Sequence, residues 1–415
     1  MSGLVSAKHF STFATLALAL SPWFAACQKP AKTLPQILSA QSLPKASNVL
    51  VDFEWVGEQS AYPTPGPKDD LAPAGPLAAH EPAGYNVRFG DTFPMTWADD
   101  DQIYTSAGDP NWGNKWDGLD IERFSGMPPH YDITRVNLMA DYRGSGGGGP
   151  KPTGMICVKG VLYLAFQNLL GRKPPVYGTK SQHGSDATII SSRDHGLTWS
   201  PAHEEIKAPM FPGDAFGGPA FVNVGRDNAG APDKYVYAVS TDQWDNGSKL
   251  RVGRVEANRI ADASAWQWIS GFKNDNHPRW SHTLGLATAV LTDDRRISTP
   301  EMVYIAAAHR YLLLTWRLHA DFSPNDGTEL IIYDAPHPWG PFTLVHREDM
   351  WESQEMNPYC PRIPLKWLTV KGNGIDGWMQ FSGSWRKTST EYRSHVREFR
   401  LKIAQQATIT LDQDK

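Results

Sequence analysis

The chain has 415 residues, 40 of them basic against 44 acidic, and a formal charge of −4. That balance excludes a nucleic-acid binder of the ordinary basic kind, and a 40% apolar content is enough to fill a sizeable core. The 36 Gly and 32 Pro suit a turn-rich β protein better than a helical one, and 16 Trp, as many as Phe, suit either a large core or a cleft that stacks on sugars.

Residues 1–26 read as a secretory signal peptide, because an apolar run from Phe13 to Ala26 follows a short polar start and is too short to span a bilayer. Phe24-Ala25-Ala26-Cys27 has the layout of a bacterial lipobox, with Phe24 in place of the usual Leu. Cys27 is therefore the expected lipidation site; ordinary cleavage that leaves a free thiol is the alternative. Residues 27–47, rich in Lys, Gln, Pro, Ser and Ala, read as a tether, and residues 48–415 as the folded domain. The expected location is the cell envelope, with the membrane reached through the N-terminal lipid alone. No metal or cofactor is expected: Cys157 and Cys360 have no Cys or His partner at zinc spacing.

Along the domain, five pairs of short apolar strands recur. The leading strands are 93–97, 154–158, 219–224, 301–306 and 359–365. Their followers are centred on Tyr104, Tyr163, Val236, Leu313 and Met379, at steps of 59, 73, 77 and 66 residues. A third and fourth strand follow in most units, such as 187–191 with 198–200, or 329–333 with 342–345. Four strands per unit without helical periodicity predict an all-β, five-bladed β-propeller. The last unit, ending at 395–403, is one strand short, and the isolated strand 48–56 is placed to fill it and close the ring. An irregular pair of β-sandwiches is the alternative. Cys157 falls in the second unit and Cys360 in the fifth, which are not neighbours in a five-membered ring, so two buried free thiols are expected.

Ser192-Arg-Asp194-His-Gly196-Leu-Thr198-Trp199 matches the Asp box, S-x-D-x-G-x-T-W, of sialidase-like propellers. Asp194 is suited to accept backbone N–H bonds in the turn, Gly196 permits φ > 0, and Trp199 packs between blades. The motif lies on an outer hairpin, so Asp194 is no catalytic candidate. Asp334 to Phe342 occupies the matching place in the fourth unit.

A propeller gathers the loops leading into its first strands and those joining second to third strands on one face, which is the default site. Sugar hydrolysis needs a carboxylic acid to protonate the leaving oxygen and a carboxylate as nucleophile or base. Asp91, Asp214 and Glu301 precede or open first strands of three units and are the catalytic candidates, with turn-capping or a structural ion pair as their plainer roles. Asp109, Trp112, His183, Asp186, Trp244, Asp245, Arg317, Glu355, Asn357 and Arg386 are the candidate substrate ligands. Asp99-Asp100-Asp101 reads as a solvated turn.

The run from Gly90 to Asp109, the segment Ile332 to Phe342, and the stretches Pro361–Trp367 and Gly377–Gly383 resemble a bacterial propeller family filed as domain of unknown function 4185. The likeness covers roughly residues 85–403. Some members of that family are endo-D-arabinanases, so the resemblance implies a five-bladed propeller and a glycoside hydrolase acting on a furanose-containing polysaccharide such as arabinan. The expected partner is a polysaccharide or oligosaccharide, and the expected state a monomer. Two other classes remain open: a non-catalytic glycan-binding lipoprotein, and a polysaccharide lyase using His183 or His277 with a Tyr. A sialidase would resemble six blades with several Asp boxes and an arginine triad.

Overall fold

The computed structural model describes residues 44–57, 60–61, 89–111, 118–142, 149–169, 184–273, 276–319, 327–352, 356–384 and 392–404. The signal peptide, Cys27 and most of the tether, together with Trp112, His183, Glu355 and Arg386, lie outside them. Among the described residues every helix is a single 3-10 turn, and none is long and apolar enough to cross a membrane.

The strands form five antiparallel blades. Blade 1 orders Met95–Trp97, Ile103–Ser106, Ile121–Met127 and His130–Asn137. Blade 2 orders Lys151–Val158, Val161–Gln167 and Thr188–Ser192, with a bridge from Ser191 to Ser200 in the fourth place. Blade 3 orders Ala220–Asn223, Tyr235–Thr241, Lys249–Glu256 and Gln267–Phe272, then adds Pro278–Ser281. Blade 4 orders Glu301–Ile305, Arg310–Leu318, Thr328–Ala335 and Thr343–Glu348. Blade 5 orders Tyr359–Arg362, Gly374–Ser382 and Ser394–Ile403, and its fourth strand is the N-terminal Leu50–Trp55. Leu50 pairs with Ile403 and Trp55 with Phe399, so the chain's two ends share one sheet as expected.

Period-2 alternation explains how one strand serves two interfaces. In Arg310–Leu318, Tyr311 and Leu313 enter the core shared with blade 3, while Leu312 and Leu314 enter the core shared with blade 5. Both faces are buried, so the strand reads as a continuous apolar run. Leu313→Ala would leave a cavity at such an interface, at a cost of about 2–5 kcal/mol.

The same rule generates a core between each pair of neighbours. Leu164 and Phe166 meet Ile121 and Leu119 between blades 1 and 2, and Ile156 and Ile189 meet Phe216 and Trp268 between blades 2 and 3. Trp367 and Val396 of blade 5 pack against Met95, Ile103 and Phe124 of blade 1, which closes the ring. At the centre, the first strands of blades 3 and 4 run parallel, with Val222 opposite Met302.

Cys157 and Cys360 lie in first strands of blades 2 and 5, buried and free. In the turn after Thr188–Ser192, Asp194 accepts bonds from Ser192 Oγ at 2.7 Å, Thr198 N at 2.9 Å and Thr198 Oγ1 at 2.6 Å. Gly196 there has φ +92°, which a side chain would strain.

Candidate active site

The first strands start at the same end of the channel, and the opening residues of blades 2 and 5, Lys151 and Tyr359, meet two acids of blade 1 there. Lys151 opens the first strand of blade 2 and is buried. Its Nζ lies 3.0 Å from Asp91 Oδ2 and 2.9 Å from Asp109 Oδ2. Both acids come from blade 1, whose chain is shaped to deliver them. Phe89–Asp91 pairs with Gly108–Asn111, which sets Asp91 opposite Gly108. A Cβ on Gly108 would stand 2.4 Å from Asp91 Oδ1, so glycine is required for that approach.

Blade 5 supplies the other contacts to Asp91. Tyr359 OH donates to Asp91 Oδ2 at 3.1 Å, and Tyr392 hydrogen-bonds the same carboxylate. Burial, and then the charge of Asp91, push both phenols well above their ordinary value. They stay protonated donors at any working pH. Asp91 Oδ1 has no hydrogen-bond partner among the described residues. The Trp244 ring from blade 3 lies 5.3 Å from the Lys151 ammonium, within cation–π range. Two buried carboxylates thus share one cation beside an aromatic face, an arrangement of charge typical of functional sites.

Amide groups stand around this cluster. Asn357, before Tyr359, is fully buried at φ +48°, and neither its oxygen nor its nitrogen has a partner among the described residues. Gln167 Oε1 and Gln243 Oε1 are likewise without a partner among them. Beneath, a space of about 10 Å³ lined by Thr153, Gln167, Thr241, Trp244 and Thr299 is roughly the size of one water.

Below that floor the channel is filled. Arg362, 1% exposed, donates from Nε to Thr92 O at 2.9 Å and from Nη1 to Pro300 O at 3.2 Å, tying blade 5 to blades 1 and 4. Asn223 Nδ2 donates to Met95 O at 3.2 Å and Met155 O at 3.1 Å, tying blade 3 to blades 1 and 2. Glu301 belongs to this layer. Its Oε2 accepts Ile363 N at 2.6 Å, and burial pushes its carboxyl up to about 7 against the opposing pull of Arg362 and that amide.

The structure brings Asp91 together with Asp109 on Lys151, whereas Glu301 and Asp214 have other surroundings. Glu301 is enclosed by Arg362 and the backbone of blade 5. Asp214 is exposed on a turn fastened to Asp186, whose Oδ1 accepts Gly213 N at 3.0 Å. Asp186 itself, at φ +53°, acts as the latch for that turn.

Among the ligand candidates, Trp244 faces Lys151, and Asp245 is fully buried in a segment fastened to blade 4 through Asn246 N and Ser298 Oγ at 2.7 Å. Arg317 is engaged by the fully buried Glu329, which Arg347 also contacts and Arg296 approaches at 3.4 Å. Lys151, Tyr359 and Tyr392 were missed by a search for acids and loop aromatics. Lys151 and Tyr359 open their first strands as Glu301 does, so the rule that selected Glu301 finds them once bases and phenols are admitted.

Solved structures with a similar course of chain include a putative hydrolase from Bacteroides ovatus ATCC 8483, at 12% identity and a TM-score of 0.48, over 77% of this chain and 87% of that one. The α-L-arabinofuranosidase PaAbf62A from Podospora anserina is 10% identical at a TM-score of 0.42, over 78% and 95%. An endo-arabinase from Bacteroides thetaiotaomicron VPI-5482 is 11% identical at 0.40, over 76% and 96%. No curated protein matches the sequence. A family profile matches residues 75–361, more than half of the chain, and the protein belongs to that family, the Domain of unknown function DUF4185.

Proposed function

We propose that the protein is an exported glycoside hydrolase that cleaves a polysaccharide at the channel mouth, with Asp91 and Asp109 as its acid pair. The observation that carries this reading is the shared ammonium: both carboxylates approach Lys151 Nζ within 3.0 Å, near an aromatic ring and amide oxygens without a partner among the described residues. Asp91, supported by Lys151 and two phenols, is the nucleophile or base. Once a sugar hydroxyl takes its place on the ammonium, Asp109 takes up a proton from solvent and passes it to the leaving oxygen, ending as the carboxylate again. Trp244, itself buried, backs the Lys151 ammonium with its ring, and Asn357, Gln167 and Gln243 offer hydrogen bonds to hydroxyls.

The nearest oxygens of the pair are at most about 6 Å apart, because each touches the same nitrogen. That is nearer the ~5–5.5 Å of retaining enzymes than the ~6.5–9.5 Å of inverting ones, so retention of configuration is expected. The substrate class follows the family resemblance: a furanose-containing glycan such as arabinan. Cys27 anchors the domain to the envelope by lipid; Cys27→Ser releasing it from membrane fractions supports that part, and unchanged fractionation contradicts it.

A second reading is favoured by the same Lys151, which neutralises one acid of the pair and blocks the gap between them at rest: a glycan-binding lipoprotein without turnover. Incubating the purified protein with arabinan, arabinogalactan and xylan, and assaying both retention and reducing ends, separates the two. New reducing ends support hydrolysis, retention without products supports the binding reading, and neither result defeats both.

A further inference from the structure

Away from the channel, the outer strands of blades 3 and 4 enclose a groove of about 480 Å³. Phe272, Asn276, His277, His337 and Trp339 are among its lining residues. Trp339 follows the third strand of blade 4, at the end opposite the loop joining second to third strand, so the groove is separate from the Lys151 cluster. Trp339 belongs to the Asp334–Phe342 segment and keeps only part of its ring in the groove, the rest packing into the core between blades 3 and 4.

The rings are fixed by their neighbours. His337 stacks on Trp339 at 5.0 Å and 11°, and Trp280 meets Trp339 edge-on at 5.9 Å and 83°. The Arg254 guanidinium sits 4.0 Å from the Trp280 ring centre and 4.1 Å from that of Tyr235, which holds Trp280 from its far side. Trp339 is half-buried in the core between blades 3 and 4, so it forms a firm platform.

The lining contains no Asp, Glu, Lys or Arg among the described residues. Its polar groups are an amide and two imidazoles. Burial, followed by His277 and Arg310, holds His337 below the ordinary histidine value, so at pH 7 it is a neutral ring that accepts as well as donates. Among the described lining residues a charged ligand finds no counter-ion, whereas a neutral ligand with one apolar face and a rim of hydroxyls finds both a ring and hydrogen-bonding groups. The volume falls within the ~300–1,000 Å³ of small-ligand clefts, and the groove is too small to supply the roughly 800 Å² per partner of a stable protein interface.

We propose that this groove is a second glycan-binding site, which takes a neutral oligosaccharide segment against the stacked rings of His337 and Trp339 and tethers the polymer to the outer wall of the propeller. The inference rests on the reading of the protein as glycan-acting. The rival occupant is a proline-rich peptide, since aromatic grooves also take such segments.

Affinity electrophoresis in gels containing arabinan, arabinogalactan or xylan tests it, using the wild type, Asp91→Asn, Trp339→Ala and His337→Ala. At least one polymer should retard the wild type and Asp91→Asn equally. Trp339→Ala should weaken that retardation about tenfold, the scale of one lost stacking contact, while hydrolysis of short oligosaccharides at the channel stays at the wild-type rate. His337 is only partly covered at the surface of the groove and its replacement should fold normally, giving a smaller loss and deciding the matter if Trp339→Ala does not fold. Equal retardation of wild type and both groove variants overturns the inference and leaves the hydrolase reading intact. Products formed with no retardation of the wild type also overturn it. Neither products nor retardation defeats both, and binding of a polyproline peptide in place of every polymer assigns the groove to the rival.

Discussion

Two layers of the same channel each hold a buried acid beside a buried cation, and they are built to different ends. In the lower layer, Arg362 is spent on backbone carbonyls of two neighbouring blades and Glu301 on a backbone amide of a third. In the upper layer, Lys151 bonds two side-chain carboxylates, and Asp91 keeps one oxygen without a partner among the described residues. A pair satisfied by backbone holds blades together. A pair satisfied by side chains can exchange those contacts for a substrate's hydroxyls. The difference teaches that burial and a counter-charge do not by themselves mark a catalytic acid; the nature of its partners does.

The sharpest way to break this contrast is to delete each cation. Lys151→Met leaves two buried carboxylates without their shared ammonium, which should cost about 3–5 kcal/mol at pH 8. Protonation of one acid relieves the repulsion, so the loss should shrink as the pH falls toward 5. Urea midpoints at the two pH values measure this, and an equal loss at both would show that the carboxylates do not depend on Lys151.

Arg362→Met strands Glu301 and two carbonyls and should cost a similar about 3 kcal/mol, part of which Glu301→Gln restores. A double-mutant cycle with no coupling would separate Glu301 from Arg362 and dissolve the lower layer as described.

Glu301 also makes a pH prediction. Its folded value, about 7, lies above the ordinary 4.5, so the folded state holds the proton more tightly. The stabilisation is complete below about pH 4.5 and is lost as the pH rises through 7. Glu301→Gln should flatten that slope and be more stable than wild type at pH 8, relative to pH 5, by up to about 3 kcal/mol. Parallel pH profiles for the two proteins would contradict it.

The smallest effect belongs outside both layers. Asp194→Asn loosens a surface turn on which its carboxylate accepts three bonds, and should cost about 1 kcal/mol, on the scale of a lost cap. Turnover of the folded enzyme should be unchanged, because the turn touches neither layer.

Much of the architecture was legible because a propeller writes itself as a repeat. The run Tyr311–Trp316 is apolar on both faces since two cores claim it, and each unit carries a comparable run. The strand at 50–55 was legible as the missing member of the last unit. Asp91 was legible from its place before a first strand. The enclosure of Glu301 was not, because it depends on Arg362, 61 residues later, folding back across the channel. Nor was the exposure of Asp214, whose turn is fastened by Asp186 from a different segment. Lys151 was passed over because the chemistry sought was acidic, although its position obeys the rule applied to the acids.

The central claim is that the upper pair, and not the lower acid, acts on substrate. Its most direct test is the rate of reducing-end release from arabinan by Asp91→Asn, Asp109→Asn and Glu301→Gln, each shown to be folded by its melting curve. Loss of a general acid or base costs about 10²–10⁴-fold, so the first two should fall by that factor while Glu301→Gln stays near the wild-type rate. Retained activity in Asp91→Asn, with activity lost in Glu301→Gln, would contradict the account.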